Sequence, residues 1–119
     1  MRFQLSVCAL GLLIASTANA SAFSVSFKWC GSGSPVFSLG GVPKGTTSLQ
    51  FQMVDLDKPD YNHGGGTVAY SGQKAIACGA LGNYSPPSPP PGGHNYRWTV
   101  TAIGGGGNLG TGSATKHFP

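Results

Sequence analysis

Apolar and polar residues alternate with a period of two over two long runs of the chain. Leu49, Phe51 and Met53 alternate with Gln50 and Gln52, and Tyr96, Trp98, Val100 and Ala102 share a face opposite Arg97, Thr99 and Thr101. Successive side chains of a strand point to opposite faces, so each run predicts a strand with one buried side. Shorter runs at residues 23–29 (with Phe23, Val25 and Phe27 on one side), 36–39, 67–70 and 74–78 read the same way, and the two long ones span 48–54 and 96–103. Nowhere after the N-terminal leader do apolar residues keep a 3.6-residue period over three turns.

Glycine and proline, 20 and 9 residues respectively, punctuate these runs at short intervals. Short alternating strands at such spacing predict an all-β domain, an antiparallel sandwich or barrel. Residues 84–94 carry prolines at five positions, each without the N–H that a sheet ladder needs, so this segment crosses the surface as a stiff, largely polyproline-II stretch ending at His94. Residues 104–107 read as a flexible loop, and residues 108–119 as a last strand or a stretch of little structure.

The N-terminus changes the picture. Arg2, an apolar run over residues 5–15 and the ending Ala18-Asn19-Ala20 describe a secretory signal peptide over residues 1–20, cleaved after Ala20 or Ala22. The run is too short for a transmembrane anchor. Residues 21–119 remain as one small domain, secreted or periplasmic, whose thin core needs reinforcement. Cys8 leaves with the leader, and an exported chain with the two cysteines Cys30 and Cys78 reads as one disulfide, the alternative being two buried thiols. A loop of roughly 48 residues would be closed, worth about 4 kcal/mol in chain entropy.

The formal net charge is +4, and the basic residues are spread singly, without a cluster interleaved with aromatics. Nucleic-acid binding is therefore not expected, and the mild positive field favours an anionic ligand or an acidic membrane surface. The acids are only three, Asp55, Asp57 and Asp60, and all stand in the stretch that ends the central strand run, followed by His63 and Gly64–Gly66. Formal motif matches fail on context. Residues 105–110 fit G-x-G-x-x-G, but no helix follows to turn its amides toward a phosphate. Asp55-x-Asp57 starts like a calcium loop, but Pro59, Asp60 and Gly66 occupy positions that such a loop gives to a ligand, to glycine and to glutamate. There is no G-x-S-x-G elbow. Asn83-Tyr84-Ser85 is a glycosylation sequon followed directly by Pro86.

What remains is a constellation: Asp55 ends one strand, His63 follows its turn, and His94 and Tyr96 open another. If those strands are neighbours, a carboxylate and two imidazoles meet. The carboxylate would fix a ring tautomer and leave the other N–H as a donor to an anion, and the Gly64–Gly66 amides would approach the same ligand.

These residues also carry a family resemblance. Asp55-Leu56-Asp57-Lys58-Pro59 resembles the D-P-D-x-P motif of the phosphatidylethanolamine-binding proteins. Tyr84-x-x-Pro87-x-Pro89-Pro90-x-Gly92-x-His94-x-Tyr96 is similar to their Y-x-G-P-x-P-P-x-G-x-H-R-Y motif. Residues 34–49 look like their S-P-x-x-x-W-x-x-x-P-x-G-T-x-S-L segment. The three motifs stand in order over residues 23–103, and the branch they resemble is the bacterial, Raf-kinase-inhibitor-like one. Pro86 stands where the motif has glycine, no aromatic follows His63, and the chain stops soon after the His94 strand. The resemblance implies an antiparallel β-sandwich, shortened at the C-terminus, with a small pocket for phosphate-type anions or phospholipid head groups. Asp55, His63, His94 and Tyr96 would line it, and Asp57, Pro59, Gly64 and Tyr84 would shape it.

The expected function is thus a non-enzymatic, exported binding module with no cofactor and no metal. Two alternatives stand beside it: a hydrolase using Asp55, His63 and His94 as a two-histidine, one-carboxylate metal triad, and a structural or interaction protein with a vestigial pocket. No protein partner can be read from the residues.

Overall fold

The computed structural model describes residues 22–119; the leader and the cleavage after Ala20 lie outside the described residues. The fold is all-β. Eight strands follow one another: β1 (Ser24–Cys30), β2 (Gly33–Gly40), β3 (Thr46–Asp55), β4 (Asn62–Ala69), β5 (Ala75–Ile76), β6 (Asn83–Tyr84), β7 (His94–Gly104) and β8 (Gly107–Phe118). They form two antiparallel sheets, β1-β2-β5 and β6-β4-β3-β7-β8.

The alternation decides which way each sheet faces. Leu49, Phe51 and Met53 of β3 and Tyr96, Trp98, Val100 and Ala102 of β7 are buried, and they meet Phe27, Phe37, Leu39 and Ile76 of the smaller sheet. Phe37 sits at the centre of the contact between sheets. Its ring lies 4.7 Å from that of Phe51 and 5.1 Å, edge to face, from that of Trp98, geometries that aromatic quadrupoles favour. The opposite face of the five-stranded sheet carries Gln50, Gln52, Thr99 and Thr101 toward solvent, as the period requires.

The C-terminal stretch is the longest strand, β8, hydrogen-bonded along the whole of β7. Its inward positions include Gly110, Gly112 and Ala114, which are small because β1 passes close by. A Cβ on Gly112 would run into the Phe23 carbonyl. Glycine removes the apolar half of the alternation in this strand while leaving the backbone free to pair, so the residues show no period of two.

Cys30 and Cys78 form a disulfide across a separation of 48 residues, with Cα atoms 6.0 Å apart. It ties the end of β1 to the segment after β5, a strand of only two residues with little ladder of its own.

Two outcomes follow. Phe51→Ala should lose about 3–5 kcal/mol in urea denaturation, as for other large-to-small core changes, while Gln50→Ala on the outer face should change stability by less than about 0.5 kcal/mol. The Cys30→Ser/Cys78→Ser double variant should lose about 2–5 kcal/mol, read from its urea midpoint against that of the oxidised protein.

Candidate functional site

The site forms at one end of the five-stranded sheet, where the inward row of β3 runs out of apolar residues. Asp55 continues the face of Leu49, Phe51 and Met53, pairs in register with Tyr96, and is only 4% exposed. A carboxylate there must be hydrogen-bonded. One oxygen, Oδ1, accepts the backbone N–H groups of Asp57 at 2.9 Å and Lys58 at 3.1 Å, which curls the chain into the turn that Pro59 completes. The other, Oδ2, accepts Nδ1–H of His94 at 2.6 Å. Burial by itself disfavours the ionised carboxylate, but the His94 bond and charge and the two turn amides outweigh it and hold the Asp55 pKa below its ordinary 3.8. Asp57 stitches the same turn to β7, its Oδ2 accepting the Asn95 amide at 2.8 Å while the Leu56 amide donates to the Asn95 carbonyl at 2.8 Å.

His63 reaches the inner face through a β-bulge. Gln52 pairs with Gly65 and Val54 with Asn62, so His63 and Gly64 together stand opposite Met53. The extra residue inverts the alternation and turns the imidazole inward, where it is 2% exposed. Gly64 supplies the bulge with a φ of 76°, and a Cβ on it would strike the Asn83 carbonyl. Nδ1–H of His63 donates to the Ser85 carbonyl at 2.7 Å, and the Ser85 amide returns a bond to the His63 carbonyl at 2.9 Å. The proline segment is thereby anchored at its start.

These elements enclose a cleft of about 270 Å³, lined by Asp55, His63, His94 and Tyr96 together with Lys58, Tyr61 and the proline-segment residues Ser88, Pro89 and Pro90. The sheet thus brings Asp55, His63, His94 and Tyr96 together. Tyr96 lies between the two imidazoles, with its ring 5.4 Å from that of His63 and 6.3 Å from that of His94. Burial first, then the Asp55 charge, push the Tyr96 phenol up to about 12, so it stays a neutral donor. Asp57, Pro59, Gly64 and Tyr84 stand outside the lining. Asp57 and Pro59 build the turn and Gly64 the bulge, whereas Tyr84 packs 5.6 Å from Trp98 in the core, where burial raises its phenol to about 12.

Two local expectations are corrected. The Gly64–Gly66 run is strand rather than an exposed nest. Its backbone approaches neighbouring strands, and the Gly64 amide donates to Asn62 Oδ1 at 2.8 Å. The role of the imidazoles also differs. Nδ1–H of each ring is spent on an oxygen, so a neutral His63 or His94 presents only an Nε2 lone pair, and Nε2 donates only from a doubly protonated ring.

Sequence reasoning missed Lys58, Tyr61 and Ser88. Lys58 had a usable signal, since it stands inside the acidic turn whose amides cap Asp55. Tyr61 supplies an aromatic neighbour to His63 from the preceding side, its ring edge-on at 4.5 Å.

A metal triad of Asp55, His63 and His94 is not assembled. The donor atoms that come within 4.8 Å of one another belong to Asp55, Asp57 and His94, and the bonds above already engage both Asp55 oxygens, Asp57 Oδ2 and the His94 Nδ1. Among the described residues, no helix is long and apolar enough to cross a membrane. Comparison with protein-family models, with curated proteins and with solved structures finds no match for the chain.

The Asp55 environment makes a pH prediction. A carboxyl held low by native contacts stabilises the fold fully above its unfolded value of 3.8, and that contribution is lost as pH falls through the lower folded value. Asp55→Asn should lower the urea midpoint at pH 7 and flatten the acid limb below about pH 4. Parallel acid limbs in wild type and variant would refute this role.

Proposed function

We propose that this chain is an exported, non-enzymatic binding module whose cleft holds a phosphate-type anion, free or as a phospholipid head group, in the manner of the phosphatidylethanolamine-binding proteins its motifs resemble. One observation carries the reading: two imidazoles face one small cleft, each oriented by an oxygen on its Nδ1 side, with Lys58 and the Tyr96 phenol as further lining donors. Such a set matches the oxygens of a small anion, because charge-assisted donors bind them more strongly than neutral ones. The resemblance in residues 55–59 and 84–96 supports the same assignment independently of charge, and the disulfide fits an oxidising compartment.

An enzymatic reading has less support. Among the described residues no serine hydroxyl or cysteine thiol is hydrogen-bonded to a cleft imidazole, and the buried carboxylate of Asp55 is engaged with His94 and two amides. The Asp55, Asp57 and His94 cluster is the observation that favours a metal ion instead, and the same experiment addresses it.

Phosphate and phosphoethanolamine are titrated calorimetrically into wild type, His63→Ala and His94→Ala at pH 5.5, with and without chelator. Losing one charge-assisted hydrogen bond costs about 1.5–3 kcal/mol, so each variant should bind roughly 10- to 150-fold more weakly. Chelator should change nothing. Equal affinity in all three proteins ends the anion reading, and affinity that vanishes with chelator replaces it with a metal site.

A further inference from the structure

Two grooves lie side by side on the outer face of the five-stranded sheet, on the side away from the core. One, of about 490 Å³, is lined by Arg97, Thr99, Thr111 and Ser113 and walled by Ala22 and Phe23. The wall is fixed to the edge of β8, where the Phe23 amide donates to the Thr111 carbonyl at 3.3 Å. The other groove, of about 270 Å³, takes in Gln50, Gln52, Thr67 and Thr101, and Thr99 belongs to both. The strand registers account for this continuity. Thr67, Gln50, Thr101 and Thr111 stand side by side across β4, β3, β7 and β8, and Gln52, Thr99 and Ser113 form the next row. With neighbouring strands about 4.8 Å apart, a row of four spans roughly 14 Å.

Most of these side chains are unspent. Other exposed polar side chains bond to the protein itself, Ser24 to the Gly40 carbonyl and Gln73 to the Ala69 carbonyl. On the outer face Gln52 reaches Asn62, but among the described residues the hydroxyls of Thr99, Thr101, Thr111 and Ser113 and the guanidinium of Arg97 meet no protein partner. Arg97 also lacks an ion pair. The three acids all stand in residues 55–60, and the pairs they form are Asp55 with His94 and Asp60 with Lys58.

We propose that this face is a second binding site, independent of the cleft, for an oligosaccharide that carries a carboxylate. Rows of hydroxyls and side-chain amides present donors and acceptors together, which is what the hydroxyls of a sugar chain require. The guanidinium fork meets a carboxylate at two points and more strongly than a neutral group does, so Arg97 sets where along the groove the acidic sugar sits. No acid lines either groove to oppose it. Arg97 is the one charged residue of the two linings, so a single ion pair provides the charge and the neutral rows provide the rest. An open groove across several strands suits an extended chain rather than a compact ion. A protein partner fits less well, because the buried centre of such interfaces is largely apolar and rows of threonine, serine and glutamine supply little of that.

Three polymers separate the parts of this proposal: polygalacturonate carries hydroxyls and carboxylates, dextran hydroxyls alone, and poly-glutamate carboxylates alone. Affinity electrophoresis of the wild type should show retardation by polygalacturonate well beyond that by the other two. Arg97→Gln should bind polygalacturonate about tenfold more weakly, the cost of one charge-assisted contact. Thr101→Val, which keeps the side-chain shape and removes the hydroxyl, should bind several-fold more weakly. Lys28→Gln removes the same charge from the other sheet and should leave affinity unchanged. In the wild type, amide chemical shifts should move at Thr99, Thr101 and Ser113 on adding polygalacturonate, and not at Asp55 and His63; this readout needs no variant. Equal retardation by poly-glutamate overturns the saccharide, and equal retardation by dextran overturns the carboxylate. Absence of polygalacturonate binding, or shifts confined to the cleft, overturns the site, and none of these outcomes bears on phosphate binding in the cleft.

Discussion

The structure turns on one buried carboxylate. Asp55 occupies the position where the inward row Leu49, Phe51, Met53 would place another apolar side chain. Because an unpaired charge there would be costly, the chain around it is arranged to supply donors. The backbone of Asp57 and Lys58 curls back to give two amides, and β7 begins at the point where His94 can give a third. Turn, strand start and imidazole orientation are thus consequences of the same constraint. The depressed Asp55 pKa is its electrostatic record.

The second histidine arrives by a different route. A bulge opposite Met53 shifts β4 by one residue, so that His63 rather than Gly64 faces inward. Its Nδ1–H and carbonyl both engage Ser85, which starts the proline segment on its path over the cleft. Proline cannot contribute to a ladder, so the wall of the cleft is held at its ends, by Ser85 at one and by Gly92 with His117 at the other. A stiff segment fixed at two points makes a wall without strands of its own.

The chemical character of the cleft follows from which ring nitrogens are already used. With Nδ1–H of both histidines bonded to oxygen, the cleft sees Nε2, a lone pair in one protonation state and a charged donor in the other. A neutral ring therefore offers an acceptor, while Lys58 and the Tyr96 phenol are lining groups that donate.

How much of this was legible in the residues varies by element. Alternation in residues 48–54 and 96–103 determined the two central strands and their buried faces, because a period of two can be satisfied only one way against a core. The two cysteines that follow the expected leader pointed to the disulfide that Cys30 and Cys78 form, and the acid-rich turn with its downstream histidines marked the candidate site. Residues 62–66 and 107–118 were less legible. Glycine carries no side chain to show a period, so only pairing with β3 and β7 makes those stretches strands. The bulge that aims His63, the inclusion of Lys58 and Tyr61, and the spending of both Nδ1 donors belong to the tertiary structure alone. Each depends on which atoms of distant residues come within hydrogen-bonding reach, and spacing along a chain contains no such distance.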